Sequence, residues 1–357
     1  MDLEVRHPAD LTADELASWR RVLDRDADVD SPFFHPAYAS VVARFRDDVR
    51  VGVGAPSGDP SLFFPFQADG ARRAIGVGSR LAEFHGWIAG AGTRPVARDV
   101  LRACGLRAWS FDHLVSGRAS LDGHVWATSD SPLIDLSGGM DAYVEGRRRA
   151  GSKQIPTTLR KARKFEREVG PLRLELDSRS SDAFDALVRW KSAQHARTGR
   201  VVLFERQWIV DALRAFRDER DGAFRGVMSV LRCGDRPVAV HLGLRLGPVL
   251  HWWFPAYDPE FSRYSPGSIL LVEVAREAAA DGVRRIDLGR GTERYKQSFK
   301  SGDRELGEGL VCLNPATFAL RKGWAGTKRW IRASPRRARL EAPIKRLRKL
   351  RERLIVR

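Results

Sequence analysis

The chain has 357 residues, 43% of them hydrophobic, with ten Trp and seventeen Phe, and this composition excludes a disordered polypeptide. Its formal charge of +17 is concentrated in two segments: residues 321–357 carry +13 and residues 145–168 carry +6, so about −2 remains for everything else. That partition excludes a uniformly basic nucleic-acid-binding body, and no DNA partner is expected. No apolar run nears the roughly 18 residues of a transmembrane helix, and Met1-Asp2-Leu3-Glu4 does not open a secretory signal. Cys104, Cys233 and Cys312 are an odd number without a Cys-x-x-Cys pair, which argues against a disulfide framework and a structural zinc site. The expected location is the cytoplasm, with peripheral attachment to the inner membrane face as a variant.

In chain order, Thr12 is placed to cap a first helix with Leu16, Trp19 and Val22 on one face, and Pro36 starts a second. Strands are predicted at 49–53, 61–66 and 74–77, followed by Glu83-Phe84-His85-Gly86-Trp87-Ile88, a helix near 95–104 and strands near 107–111 and 131–136. Residues 140–168 read as a basic helical connector broken at Gly151 and Pro156. A second unit opens with a strand at 172–176 and a helix at 182–195. The turn signals Gly234-Asp235 and Gly247-Pro248 then join strands at 226–233, 236–244 and 249–257 into an antiparallel meander. A loop at 258–264 leads to Ser265-Pro266-Gly267, which has the pattern of an N-cap, a first-turn proline and a small residue. The helix ends at Gly282, and a strand at 283–288 runs into Gly289-Arg290-Gly291. Beyond 316 there is no strand pattern; Ile344, Leu347, Leu350, Leu354 and Ile355 form a narrow stripe among basic residues, as in a basic amphipathic helix. The domain reading is a first α/β unit at 1–139, the connector at 140–168, a second unit at 169–315 and a basic tail at 316–357.

The chemistry concentrates at 249–299. A loop that ends at a helix N-terminus offers main-chain N–H groups and the positive end of a helix dipole to a phosphate, and here Tyr257, Arg263, Ser265, Gly267 and Ser268 supply it. The same pattern also serves simply to start a helix. His241 and His251, on adjacent strands, are candidate bases, because imidazole titrates near neutrality; packing histidines are the alternative. Asp287, at the carboxyl end of a strand, is placed to meet a substrate or to cap the following turn. Lys191 and Gln194 continue the buried face set by Phe184 and Leu187, so the lysine must find a partner or snorkel. Arg290, Glu293, Tyr295 and Lys296 follow Asp287 closely, and His85 is the corresponding candidate in the first unit. No spacing of His, Cys, Asp or Glu reads as a metal site.

Several runs resemble a known family. Trp190-Lys191-x-x-Gln194, Pro237-Val238-Ala239-x-His241, His251-Trp252-x-Phe254-Pro255-Ala256-Tyr257, Tyr264-Ser265-Pro266-Gly267 and Asp287-Leu288-Gly289-Arg290-Gly291 with Glu293-Arg294-Tyr295-Lys296 are similar to the acetyltransferase domain of CelD/BcsL-type cellulose-biosynthesis proteins. Those belong to the GNAT superfamily, close to Fem-type tandem-GNAT transferases. The resemblance covers about 130–310 well and 30–125 more loosely. It implies an α/β (α+β) fold of tandem GNAT-like units, a mixed sheet flanked by helices. The implied activity moves an acyl group from acyl-CoA to an amine or hydroxyl of a cell-envelope or exopolysaccharide precursor. In that scheme Asp287, Tyr295 and His241 are catalytic, Tyr295 protonating the leaving group, while Lys191, Gln194, His251, Arg290, Glu293, Lys296 and His85 contact substrate. The loop departs from the common GNAT pattern, because Pro266 removes an N–H donor and only one glycine is present. Fem-type relatives use aminoacyl-tRNA, so that donor stays open, with 145–168 as the contact for tRNA or an acidic carrier protein. A non-enzymatic scaffold tethered to an anionic membrane through 321–357 is the third reading.

Overall fold

Residues 3–54, 61–90, 93–115, 121–198 and 203–333 are described by the computed structural model. The stripe at 344–355 lies outside them. In the first half, β1 (Leu3–Arg6) precedes α1 (Ala13–Asp24), which starts with a reciprocal cap: the Glu15 N–H donates to the Thr12 hydroxyl at 3.2 Å, and the Thr12 N–H donates to the Glu15 carboxylate at 2.8 Å. Next come α2 (Pro36–Ala43), begun by its proline, then β2 (Val49–Gly54), β3 (Leu62–Ala68), β4 (Arg73–Ile75), β5 (Ile88–Ala89), α3 (Ala97–Ala103), β6 (Ala108–Val115) and β7 (Val125–Asp135).

The connector forms α4 (Gly139–Arg149) and α5 (Gln154–Glu168). The break falls at Gly151, whose φ of +75° suits glycine, whereas Pro156 does not interrupt the chain as expected. It sits in the first turn of α5, where the missing N–H has no helical partner to lose. The second half continues with β8 (Leu172–Glu175), α6 (Ser181–Thr198), α7 (Gln207–Asp218), β9 (Arg220–Asp221), β10 (Phe224–Cys233), β11 (Arg236–Leu246) and β12 (Val249–Tyr257). It closes with α8 (Pro266–Ala280), β13 (Arg285–Asp287), α9 (Arg294–Phe299), β14 (Gly302–Cys312) and α10 (Pro315–Ala333). The predicted meander is present, while α7 and β14 have no counterpart in the sequence reading.

The strands form one mixed sheet in the order β1-β2-β3-β4-β6-β14-β7-β13-β12-β11-β10-β8. Each half runs inward from its first strand to a parallel pair, β4 with β6 and β12 with β13. The final strands are exchanged: β14 from the second half lies on β6, β7 from the first lies on β13, and the two pair antiparallel at the centre. Helices cover the sheet, giving the mixed α/β architecture expected. The largest core cluster spans the halves, with Tyr38 stacked on Phe216 at 5.1 Å and His35 on Phe224 at 5.0 Å. A second cluster packs α8 against β11, β12 and β13.

Candidate active site

The parallel pair β12–β13 is only three residues long: Val249 opposite Arg285, Leu250 opposite Ile286, His251 opposite Asp287. Beyond it the strands part. β12 continues to Tyr257, while the chain after β13 turns away as the Leu288 N–H donates to the Pro132 carbonyl at 2.9 Å. Among the described residues no strand takes the vacated edge of β12 from Trp252 to Tyr257. A split of this kind leaves main-chain groups available to a bound chain-like ligand.

Across the split lies a carboxylate from the other half. His251 Nε2 donates to Glu83 Oε2 at 2.9 Å, 168 residues apart in sequence. The His251 ring is wholly buried and held edge-on by Phe33 at 4.8 Å and Phe84 at 5.5 Å, whereas the Glu83 side chain keeps a quarter of its surface exposed. Burial pushes the Glu83 carboxyl up, but the His251 hydrogen bond and the charges of His251, Lys296 and His113 outweigh it and hold it below its ordinary value. Gly289, at φ +75°, lets this carboxylate reach the main chain; any Cβ there would overlap Glu83 Oε2.

At the far end of the split, α8 presents its N-terminus. Ser265 holds the expected N-cap position with φ +57°, yet its side chain does not cap; its hydroxyl accepts from Lys161 Nζ at 2.7 Å. The connector helix thus reaches the loop. Tyr257 lies over Gly267, where a Cβ would stand 3.3 Å from the ring, and Gly267 and Ser268 are half-exposed at the helix start. Arg263 lies over the Tyr264 ring, whose hydroxyl donates to Glu168 at 2.9 Å.

A helix start suits an anionic group such as a phosphate, and titratable groups at the fork are placed to move a proton to or from a ligand held there. Residues 152–297 match the acetyltransferase (GNAT) domain family model. The match runs from α5 to α9, so Glu83 lies outside the matched segment. No curated protein matches the chain. The C-terminal domain (DUF2156) of a putative lysylphosphatidylglycerol synthetase from Agrobacterium fabrum has a similar fold: TM-score 0.54 and 16% identity, covering 87% of this chain and 94% of that one. FemX gives a TM-score of 0.58 at 10% identity, covering 89% and 100%. A conserved protein of unknown function from Bacteroides thetaiotaomicron VPI-5482 gives 0.58 at 12%, covering 87% and 100%. The likeness to these three is a likeness of fold.

The residues singled out in the sequence divide within the GNAT-type fold. His251, Asp287, Arg290, Glu293 and Lys296 gather around the fork. Asp287 is buried, and its carboxylate accepts from Arg285 Nε at 2.9 Å; the same guanidinium holds Asp30 through two further bonds of 2.6 and 2.8 Å. An ion pair explains Asp287 better than proton transfer, and no turn cap is formed by it. Lys296 is buried and staples the loop, donating to the carbonyls of Gly289 and Arg290 at 3.1 Å each. Glu293 lies 3.6 Å from Lys296 Nζ, and Arg290 ties the loop to β6 through the Asp112 carbonyl at 2.6 Å.

Others do not join this group. His241 is wholly buried, its ring flat against Trp252 at 3.7 Å, and burial pushes its pKa far down, so it stays neutral and meets no substrate in this arrangement. Tyr295 is half-buried against the cluster around α8. Lys191 is half-exposed on α6 and donates to Gln194 at 3.1 Å, so it is not on the core face that the helical spacing suggested. His85 lies in the first half beside β6. Glu83 was visible in the sequence only as a neighbour of His85; nothing local pairs it with His251.

Proposed function

We propose that this protein transfers an acyl group from acyl-CoA to an amine or hydroxyl, in the manner of the CelD/BcsL type, with a cell-envelope or exopolysaccharide precursor as acceptor. The observation that carries this is the fork itself, where β12 and β13 part at His251 and Asp287 and the Glu83–His251 pair faces the opening. The pantetheine arm lies along the free edge of β12 and the pyrophosphate at the start of α8, near Gly267, Ser268 and Lys161. Glu83, oriented by His251, takes the proton of the attacking nitrogen or oxygen as the tetrahedral adduct forms. Collapse expels the CoA thiolate, which takes a proton from solvent. Calorimetry with acetyl-CoA and longer acyl-CoAs tests the donor: saturable binding abolished by Ser268→Glu is expected, and no heat at millimolar donor overturns the reading. Thiol release in the presence of a panel of amines and alcohols tests the base. Glu83→Gln is expected to lower kcat about a hundredfold or more while leaving donor affinity unchanged.

A second donor, aminoacyl-tRNA, is favoured by one observation: Lys161 of the basic helix α5 touches the loop at Ser265. On that reading tRNA binding falls steeply with salt and with charge reversal at Arg160, Lys161, Arg163 and Lys164. Binding of tRNA that ignores both changes counts against it.

A further inference from the structure

A group of side chains beside the fork touches neither donor nor acceptor in the transfer described above, although the His113 charge helps to lower the Glu83 pKa. His85 is clamped beside β6 by two main-chain bonds, its N–H to the His113 carbonyl at 2.8 Å and its carbonyl from the Val115 N–H at 3.2 Å. Its Nδ1 lies 3.7 Å from Asp112 Oδ1, and His113 Nδ1 lies 2.8 Å from the same oxygen. One ligand atom from each of the three residues falls within 4.8 Å of the other two. His85 is 6% exposed, yet among the described residues neither ring nitrogen has a hydrogen-bond partner. A buried polar group left unsatisfied costs about 1–3 kcal/mol. The chain nonetheless makes room for this ring: any Cβ on Gly76 would overlap it.

We propose that His85, Asp112 and His113 bind a divalent transition metal, with zinc the best match. Two imidazoles and one carboxylate are a donor set suited to zinc, and three protein ligands leave a fourth position for water or substrate. Bonds of about 2.0–2.2 Å at tetrahedral angles hold ligand atoms about 3.3–3.5 Å apart, between the 2.8 and 3.7 Å found here. The ion would satisfy the buried His85 ring, and the Asp112 side chain, 59% exposed, leaves the cluster open to solvent. Sequence spacing hid the set, because His85 and the Asp112-His113 pair belong to separate segments brought together by the parallel bridge of His85 with Leu114. One neighbour opposes the ion. Arg290 donates to the Asp112 carbonyl at 2.6 Å and brings its positive charge close, so its removal strengthens binding.

The site stands or falls separately from acyl transfer, since none of its ligands holds the proposed donor. The test is titration of the chelator-stripped full chain with cobalt(II), whose visible spectrum reports four-coordination, followed by displacement with zinc. One equivalent of saturable, zinc-displaceable absorbance is expected, together with a zinc-dependent rise in melting temperature. Asp112→Asn, a change at a half-exposed side chain, and His85→Asn should each weaken binding at least about tenfold, and Arg290→Gln should tighten it. Should His85→Asn fail to fold, Asp112→Asn decides. Absence of a saturable cobalt spectrum in the wild-type chain, or cobalt affinity unchanged in Asp112→Asn, overturns the proposal.

Discussion

Glu83 and His251 meet across the two halves of the molecule, and a glycine makes the meeting possible. Gly289 is constrained twice, by its φ of +75° and by the Glu83 carboxylate occupying the place of a side chain. Gly105, at φ +68°, has the backbone constraint without the crowding, since nothing lies within 4 Å of its Cβ position. Gly289→Ala should therefore destabilise the protein by more than Gly105→Ala, whose cost is the backbone term of about 1 kcal/mol. Chemical denaturation of both variants checks this, and equal losses would show that Glu83 yields freely. The same pair marks how far the site could be read from residues alone. His251 was legible as a titratable group on a strand, and Lys296 and Arg290 as charges beside a turn. Their roles in stapling the loop were not, because Lys296 bonds to carbonyls six and seven positions away in a turn whose shape depends on the other half. His241 misled because residue type says nothing of access, and here Trp252 covers the ring.

Elements with local signals came through clearly. The meander of β10, β11 and β12 and the helix α8 follow from alternation, two glycine turns and a first-turn proline, all within about sixty residues. β14 did not, and its glycines explain why. A Cβ on Gly309 would overlap the His124 carbonyl and stand 2.7 Å from Phe111, while one on Gly307 would press on Val125 at 3.0 Å. Close approach of its neighbours thus demands residues that weaken a strand signal. At the C-terminal side, α10 shows Leu320, Trp324 and Trp330 largely exposed beside Arg321, Lys322 and Arg329. The proposal that this segment meets an anionic membrane draws on that pairing of indole rings with cations; each basic residue near such a surface contributes about 1 kcal/mol. Deleting 321–357 should release the protein from anionic vesicles in a sedimentation assay, and unchanged binding would refute the attachment. Among the described residues no helix is long and apolar enough to cross a membrane.

For the molecule as a whole, the joint between the halves carries a pH dependence. His35 is buried against Phe224 beside the Arg20–Asp221 ion pair; burial pushes its pKa down to about 4, Arg20 adds to that effect and Asp221 opposes it. The unfolded chain therefore binds more protons than the folded one between pH 6.5 and about 4, so this term costs stability as pH falls through that window. Melting temperature should decline from pH 7 towards pH 4, and His35→Gln should flatten the decline. A slope unchanged in the variant would place the effect elsewhere.

The exchange of β7 and β14 has a further consequence during synthesis. The first half is translated early, but the strand that covers its β6 edge ends at Cys312, nearly two hundred residues after β6 ends at Val115. Until β14 is made, a nascent chain emerging from the ribosome holds an open, hydrogen-bonding sheet edge. Neither half can finish its sheet alone, so the Glu83–His251 contact and the fork beside it form only when the whole polypeptide closes on itself.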